Sequence, residues 1–241
     1  MTMTIRHSAA IAMLALSATV LGAQHATVSA PGAYRTQFEN DFVRVVRVHY
    51  GPNEKVPEHE HTPANTVYIY LNASGPVQFR HIKGATHIAN RQPTVAGSFR
   101  VSRGGDETHE VVNMTATPSD FMRLEFKTDP VGESPFFREA ATREPGAENI
   151  TDVKFTNRQM RITRLAVAPG KTLDQSTAPR EPALIVALKD GTLAGFQSGG
   201  ATTIAAGRER WLDAGQQLRL NNTGSAPAEL LRIDFLTAPR K

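Results

Sequence analysis

The chain has 241 residues, of which 40% are hydrophobic and 21% charged, and its formal net charge is +4. This length fits one large domain or two domains of about 100 residues each. The basic residues are scattered, without a run or a helix with one basic face, which argues against nucleic-acid binding. Cysteine is absent, which excludes disulfide scaffolds, thiolate metal clusters and cysteine nucleophiles. Any metal must therefore bind to histidine, carboxylate, amide oxygen or water.

Residues 1–23 have the pattern of an export signal. A short polar start precedes an apolar run from Ala9 to Leu21, and small residues follow it. The run is shorter than the roughly 20 residues that are needed to span a bilayer. We therefore expect cleavage after Ala23, or as late as Ala30, and a periplasmic or secreted protein with no membrane segment after cleavage. A hydrophobic N-terminal helix that stays attached is the alternative.

Short predicted strands, separated by Gly, Pro and Asn turns, follow in residues 36–128. They are rich in β-branched and aromatic residues and comprise residues 42–50, 66–71, 77–82, 98–101, 111–112 and 121–126. Their regular spacing, without a long amphipathic helix, indicates an all-β sandwich or barrel.

Residues 129–152 are predicted to be a linker, because prolines, glycines and charges concentrate there. The strand pattern then starts again over residues 153–238. The segments that can be aligned are Phe38–Arg47 with Phe155–Arg164, and Met122–Phe126 with Leu231–Phe235. An internal repeat is the simplest explanation, so we predict two homologous halves.

Three histidines of the first half are candidate metal ligands. In an extended segment, His59-Glu60-His61 places both imidazoles on one face, because side chains alternate with a period of two. His109 follows a Gly-Gly turn on a later strand and can supply a third imidazole. Such neutral nitrogen donors suit Zn, Fe, Ni and Cu, and leave coordination positions for water or substrate. The alternative is that these are ordinary surface or core histidines.

The two histidine segments resemble the two sequence motifs of the cupins. That family has Gly, His-x-His, Glu and Gly in its first motif and Gly-x5-Pro-x-Gly-x2-His-x3-Asn in its second. The corresponding residues here are Gly51 with His59-Glu60-His61, and Gly97-x5-Arg103-x-Gly105-x3-His109-x3-Asn113. The resemblance covers residues 36–128 and 153–238. It implies two antiparallel jelly-roll barrels in tandem, a bicupin, with a divalent metal (Fe, Mn, Ni or Zn) inside the first.

The chain departs from the family pattern in its ligands. Arg103 stands where the family has Pro, and both motifs have longer spacings before their histidines. The metal-binding Glu is missing, and Asn65 stands four residues after His61. An amide oxygen can bind a hard or borderline ion, so Asn65 is a fourth candidate ligand beside the histidines. Glu58 is the nearest candidate for a general base.

The second half keeps the spacing of the second motif but not its histidine. The residues are Gly207-x5-Asp213-x-Gly215-x2-Leu218-x3-Asn222. Leu218 therefore stands at the position of the metal-binding histidine, and residues 110–241 contain no histidine at all. We expect this degenerate barrel to be structural, as a partner for the first barrel or as an oligomer surface, with a homodimer as one arrangement.

For function, the resemblance implies a metal-dependent oxygenase, or a related lyase or isomerase, acting on a small molecule. The alternative is a non-catalytic module that binds a small ligand or a partner protein. The missing Glu and the metal-free second barrel favour that alternative, and fold by itself does not decide chemistry.

Overall fold

The computed structural model describes residues 24–130, 136–139, 146–176, 180–197 and 199–240. The predicted signal segment, residues 1–23, lies outside the described residues. Strands dominate the rest, and none of the helices described is long and apolar enough to cross a membrane.

The first half forms two antiparallel sheets. Its elements are α1 (Ala26–Ser29), β1 (Tyr34–Glu39), β2 (Val43–Tyr50), β3 (Lys55–His61), β4 (Thr66–Tyr70), β5 (Val77–His81), β6 (His87–Arg91), β7 (Phe99–Ser102), β8 (Glu107–Asn113), β9 (Ser119–Phe126) and β10 (Phe137–Arg138). The six-stranded sheet has the order β1-β2-β9-β4-β7-β10, and the four-stranded sheet has the order β3-β8-β5-β6.

The second half repeats the topology of β1 to β9, and β10 of the first half has no counterpart in it among the described residues. Its elements are β11 (Ile150–Thr156), β12 (Met160–Val167), β13 (Thr172–Asp174), β14 (Ala183–Ala187), β15 (Gly191–Ala194), β16 (Thr202–Ile204), β17 (Glu209–Leu212), β18 (Arg219–Asn222) and β19 (Ala228–Phe235). The sheet orders are β11-β12-β19-β14-β17 and β13-β18-β15-β16. The prediction of an all-β fold with two antiparallel jelly rolls in tandem is confirmed.

The segment that was expected to be a linker, residues 129–152, contributes to both halves. Phe137 and Arg138 pair with β7 and extend the six-stranded sheet of the first half. Ile150 and Thr151 already belong to β11, where they pair with β12. The strand structure of both halves thus reaches into this segment.

The larger sheets of the two halves pack against each other through one shared hydrophobic core. On β9, Met122, Leu124 and Phe126 belong to this core, together with Ile233 and Phe235 of β19. Because side chains alternate along a strand, the residues between them on β9 point the other way, into the first jelly roll. The packing of the halves therefore decides which face of the six-stranded sheet lines the interior.

Candidate metal centre

Two neighbouring strands bring the three predicted histidines together. His59 of β3 lies directly opposite His109 of β8, and His61 is two residues along β3, on the same face. The exposed fractions of His59, His61 and His109 are 0%, 4% and 3%. Their ring centroids are 4.7, 5.0 and 5.1 Å apart, and one ligand atom from each lies within 4.8 Å of the others.

The free nitrogens of this cluster fit a metal ion. His59 Nδ1 lies 2.7 Å from the carbonyl oxygen of Pro57, which favours the tautomer with a proton on Nδ1 and a lone pair on Nε2. Among the described residues, His59 Nε2, His61 Nδ1 and both ring nitrogens of His109 are buried without a hydrogen-bond partner. Leaving such a group unpaired costs about 1–3 kcal/mol. A bound cation would give one nitrogen of each imidazole the partner that the described residues do not supply.

Burial also keeps the three imidazoles neutral. Desolvation lowers the pKa of His59 to about 4 and that of His109 to about 2. It lowers the pKa of His61 well below its usual value, and the nearby charge of Arg123 adds to the effect. The neutral imidazole is the form that binds metals, so the cluster is in its ligand form at neutral pH.

A carboxylate that we did not predict lies beside the histidines. Glu125 of β9 is buried, and its Oε1 is 4.0 Å from His61 Nδ1. Burial acts to raise the pKa of Glu125, but the interactions with His25 and Arg123 outweigh it and lower the pKa overall. Arg123 Nε donates to Glu125 Oε1 at 2.8 Å. An ionised carboxylate thus stands near the cluster, although the Glu of the family motif is missing.

The segment before β1 adds a further histidine. His25 Nε2 is 3.6 Å from Glu125 Oε2, and ligand atoms of His25, His61 and Glu125 form a second group within 4.8 Å of one another. The backbone N–H of Glu60 donates to the carbonyl oxygen of Gln24 at 3.0 Å. This contact ties residues 24 and 25 to β3 beside the predicted site.

Asn65 and Glu58 were the other candidates. Asn65 is buried, but its Nδ2 donates to Gln159 Oε1 of the second half at 2.7 Å. Its amide group is thus engaged between the two halves, and its role as a ligand stays a prediction. Glu58 is exposed on β3, so Glu125 replaces it as the carboxylate closest to the histidines. The signal for Glu125 was the alternation of Arg123 and Glu125 with apolar residues in the predicted strand 121–126.

A cavity of about 200 Å³ opens beside the histidines. His61 and His109 form part of its wall, together with His81, whose ring centroid is 5.3 Å from that of His109. The other lining residues are aromatic or charged, namely Tyr34, Tyr50, Tyr68, Tyr70, Phe79, Phe121, Arg91, Arg100, Arg123, Arg138 and Glu107, with Ala89 and Asn90 completing the wall. A small molecule in this cavity would contact two of the three candidate ligands.

Comparison with known proteins identifies the fold. No protein-family model and no curated protein matches the sequence significantly. Among solved structures, the bacterial pirin YhhW of Escherichia coli in complex with nickel(II) matches with 14% identity and a TM-score of 0.57, over 86% of this chain and 91% of that chain. A Cupin 2 conserved barrel domain protein of Leptotrichia buccalis matches with 11% identity and a TM-score of 0.51, over 84% and 88%.

The fold is that of a two-barrel cupin. YhaK of Escherichia coli is a third similar structure, with 14% identity and a TM-score of 0.55 over 84% of this chain and 91% of that chain. At these identities the likeness concerns the fold alone. The histidines of this chain are therefore judged by their own geometry, which is that of a cluster able to hold one metal ion.

Proposed function

We propose that the first barrel binds one divalent transition-metal ion through His59, His61 and His109, and that the adjoining cavity is the active site of a metal-dependent enzyme. The observation that carries this proposal is the convergence of three buried, neutral imidazoles with unpartnered nitrogens. The metal is Fe, Mn, Ni or Zn, all of which accept imidazole nitrogen. The second barrel supports the first through the shared core.

The position of the cluster favours catalysis over a purely structural metal. Structural sites usually close the coordination sphere with four protein ligands, whereas catalytic sites keep positions open. Here His61 and His109 line a cavity of about 200 Å³, smaller than the roughly 300–1,000 Å³ of pockets for drug-sized ligands. The substrate is therefore a small molecule, and a metal bound here would polarise it or exchange electrons with it.

Glu125 has the properties of a second functional group at this centre. It is ionised at neutral pH, since its pKa is lowered, and it lies against His61. In this position it can complete the ligand set beside His61, whereas the carboxylate that lines the cavity and can accept a proton from the substrate is that of Glu107. We propose an oxygenation, an elimination or an isomerisation as the reaction, because a metal site with open positions and a carboxylate in the cavity wall serves each of them.

We further propose that the protein is exported and that cleavage follows Ala23 rather than Ala30. Ala26 and Ala30 are buried in the core of the first barrel, and His25 contacts Glu125. Cleavage after Ala30 would remove these contacts, whereas cleavage after Ala23 would keep them. The mass of the mature protein, isolated from the periplasm or medium of the producing cell, tests this. An uncleaved chain recovered in the cytoplasm would contradict it.

Metal analysis of untagged protein tests the metal centre. After incubation with Fe(II), Mn(II), Ni(II) or Zn(II) and removal of free ions, we expect one ion per chain and a higher melting temperature, because a ligand of the native state stabilises it. His59→Ala and His109→Ala should lose both effects. His49→Ala is the matched control, since His49 is exposed and pairs with Asp120 at 2.8 Å.

Two results would contradict the proposal. One is wild-type protein that binds none of the four ions stoichiometrically and shows no thermal shift, which would favour a non-catalytic module. The other is equal metal loss in His49→Ala and His109→Ala, which would place the ion elsewhere. Circular dichroism of each variant shows whether it has folded.

A further inference from the structure

We propose that the cavity binds a small aromatic acid and that Arg91 and Arg100 bind its carboxylate. This inference rests on the proposed function, because it names the class of substrate that the metal centre would receive. It follows from the charges of the cavity wall, which the part of the chain that the structure describes leaves unbalanced.

A row of arginines crosses the inner face of the six-stranded sheet. Arg138 of β10 pairs with Arg100 of β7, Arg100 pairs with Tyr68 of β4, and Tyr68 pairs with Arg123 of β9. Residues that lie directly opposite each other on neighbouring strands share a face. Three guanidinium groups therefore line one wall of the cavity, with a tyrosine among them.

Among the described residues, carboxylates pair with one of these cations, Arg123. Arg123 Nε donates to Glu125 at 2.8 Å, and Arg123 Nη1 lies 3.9 Å from Glu107. Within the described ranges, Arg91, Arg100 and Arg138 form no ion pair with a carboxylate. The cavity thus has an excess of positive charge on its wall.

Arg91 and Arg100 are held in place by neighbouring side chains, but part of the hydrogen-bonding capacity of each guanidinium is unused among the described residues. Arg91 is only 8% exposed, its Nη2 donates to Ser119 Oγ at 2.8 Å, and its Cζ is 5.3 Å from the ring centroids of Tyr70 and Phe121. The Cζ of Arg100 is 4.2 Å from the ring centroid of Tyr68.

The Nε atoms of Arg91 and Arg100 are both buried and have no hydrogen-bond partner in the described part of the chain. A buried cation without a counterion is costly. The planar guanidinium matches a carboxylate, which can accept two parallel hydrogen bonds from it. A ligand anion would thus supply the partner that both side chains lack.

The other residues of the cavity wall indicate that the uncharged part of the ligand is an aromatic ring. Tyr34, Tyr50, Phe79 and Phe121 line the same cavity, and aromatic side chains pack well against a flat aromatic ring. The volume of about 200 Å³ limits the ligand to a small molecule. A small aromatic acid therefore satisfies the charge, the shape and the size of the cavity.

The second barrel offers a matched control. Arg210 lies opposite Ile185 of β14, and Ile185 lies opposite Arg232 of β19, which is the register that Arg100, Tyr68 and Arg123 have in the first barrel. There the guanidinium of Arg210 donates to the carbonyl oxygen of Gly195. It is satisfied within the chain, so Arg210→Gln changes an equivalent arginine without touching the cavity.

Calorimetric titration with benzoate tests the inference, with benzamide as the neutral probe of the same shape and acetate as the anion without a ring. We expect wild-type protein to bind benzoate at least about tenfold more tightly than benzamide, which lacks the charge-assisted hydrogen bonds, and at least about tenfold more tightly than acetate, which lacks the ring that packs against the aromatic wall. Arg100→Gln and Arg91→Gln should each lower the affinity for benzoate by at least a similar factor. Arg210→Gln should leave benzoate affinity unchanged.

A carboxylate can also bind a metal, so each titration is repeated in the His109→Ala background. If the arginines bind the carboxylate, Arg100→Gln lowers the affinity for benzoate both in the wild-type background and in the His109→Ala background. Equal affinity for benzoate and benzamide, or an Arg100→Gln variant that binds benzoate as wild type does, would overturn the inference. Metal content of the same samples tests the proposed metal centre independently of benzoate binding, so failure of the one is distinguishable from failure of the other. Arg100 is partly exposed, so its variant stays informative if Arg91→Gln fails to fold.

Discussion

The interiors of the two barrels are filled in opposite ways. In the first, His59, His61 and His109 are buried beside a cavity with charged and aromatic walls. In the second, Leu218 stands at the position of His109 and is fully buried among aliphatic side chains such as Leu193 and Leu220. Apart from β10, which extends the first, strand order is the same in both, so the barrel does not depend on what its interior contains.

The two barrels share an asparagine that stabilises turns at the barrel end and a buried ion pair in their longest strands. Asn113 Nδ2 donates to the carbonyl oxygens of Gly51 and Thr117, and Asn222 in the second barrel binds two carbonyl oxygens in the same way. These side-chain amides stabilise turns, and this structural role accounts for both asparagines without a bound metal.

A buried ion pair also recurs at equivalent positions. Arg123 Nε lies 2.8 Å from Glu125 in the first barrel, and Arg232 Nε lies 2.7 Å from Asp234 in the second. The comparison teaches that the strand frame does not require the site. Turn amides and an Arg–carboxylate pair recur in both barrels, whereas, among the described residues, the buried histidine cluster and the cavity lined by Arg91 and Arg100 belong to the first.

Exchanging the two central residues should have the largest effect. Leu218→His places an imidazole among aliphatic side chains without a partner, and we expect it to cost about 3–4 kcal/mol of unfolding free energy. His109→Leu removes two unpartnered nitrogens, so the metal-free variant should be at least as stable as metal-free wild type. Urea denaturation of both metal-free variants checks this. A stable Leu218→His variant, or a His109→Leu variant that loses several kcal/mol, would show that the interiors do not differ as described.

Acid should destabilise the first barrel before the second. Burial lowers the pKa of His59 from 6.5 to about 4, so the unfolded chain takes up a proton that the folded chain excludes. Stability of the metal-free protein is therefore unaffected above about pH 6.5 and falls as the pH decreases towards 4, by about 3 kcal/mol from His59 alone.

Hydrogen exchange read separately in the two halves checks this prediction. We expect protection of β3 and β8 to decline with acid before that of β13 and β18, since residues 110–241 contain no histidine. His59→Ala should reduce the acid sensitivity of the first barrel. Equal acid sensitivity of both halves would contradict the difference between them.

The turn amides should give the smallest effect and an equal one in both barrels. Asn113→Ala removes hydrogen bonds to the carbonyl oxygens of Gly51 and Thr117 and a long one of 3.4 Å to that of Tyr50, and Asn222→Ala removes hydrogen bonds to two carbonyl oxygens. We expect each substitution to cost about 1–2 kcal/mol. Thermal unfolding of both variants, with metal content measured in parallel, is the check. If Asn113→Ala loses the metal while remaining folded, Asn113 serves the site and not only the frame.

Several features followed from local sequence. The alternation of β-branched residues with turn residues predicted the strands, and the two aligned segments predicted the repeat. His59 and His61 had to share a face because a strand has a period of two. Leu218 stands where the cupin motif has its metal-binding histidine, and a hydrocarbon side chain has no donor atom for a metal, so the sequence excluded a metal ligand at this position of the second barrel.

Other features depended on tertiary structure. A period of two divides β9 into two faces, but it does not say which face is inside. Packing of Met122, Leu124 and Phe126 against the second half decided that, and so turned Arg123 and Glu125 towards the histidines. The register between strands then aligned the arginines, and α1 brought His25 to Glu125. The sequence alone identified the three imidazoles as candidate ligands. Contacts between distant strands determined which charged groups lie around them, because the distance between two charges depends on how the chain packs.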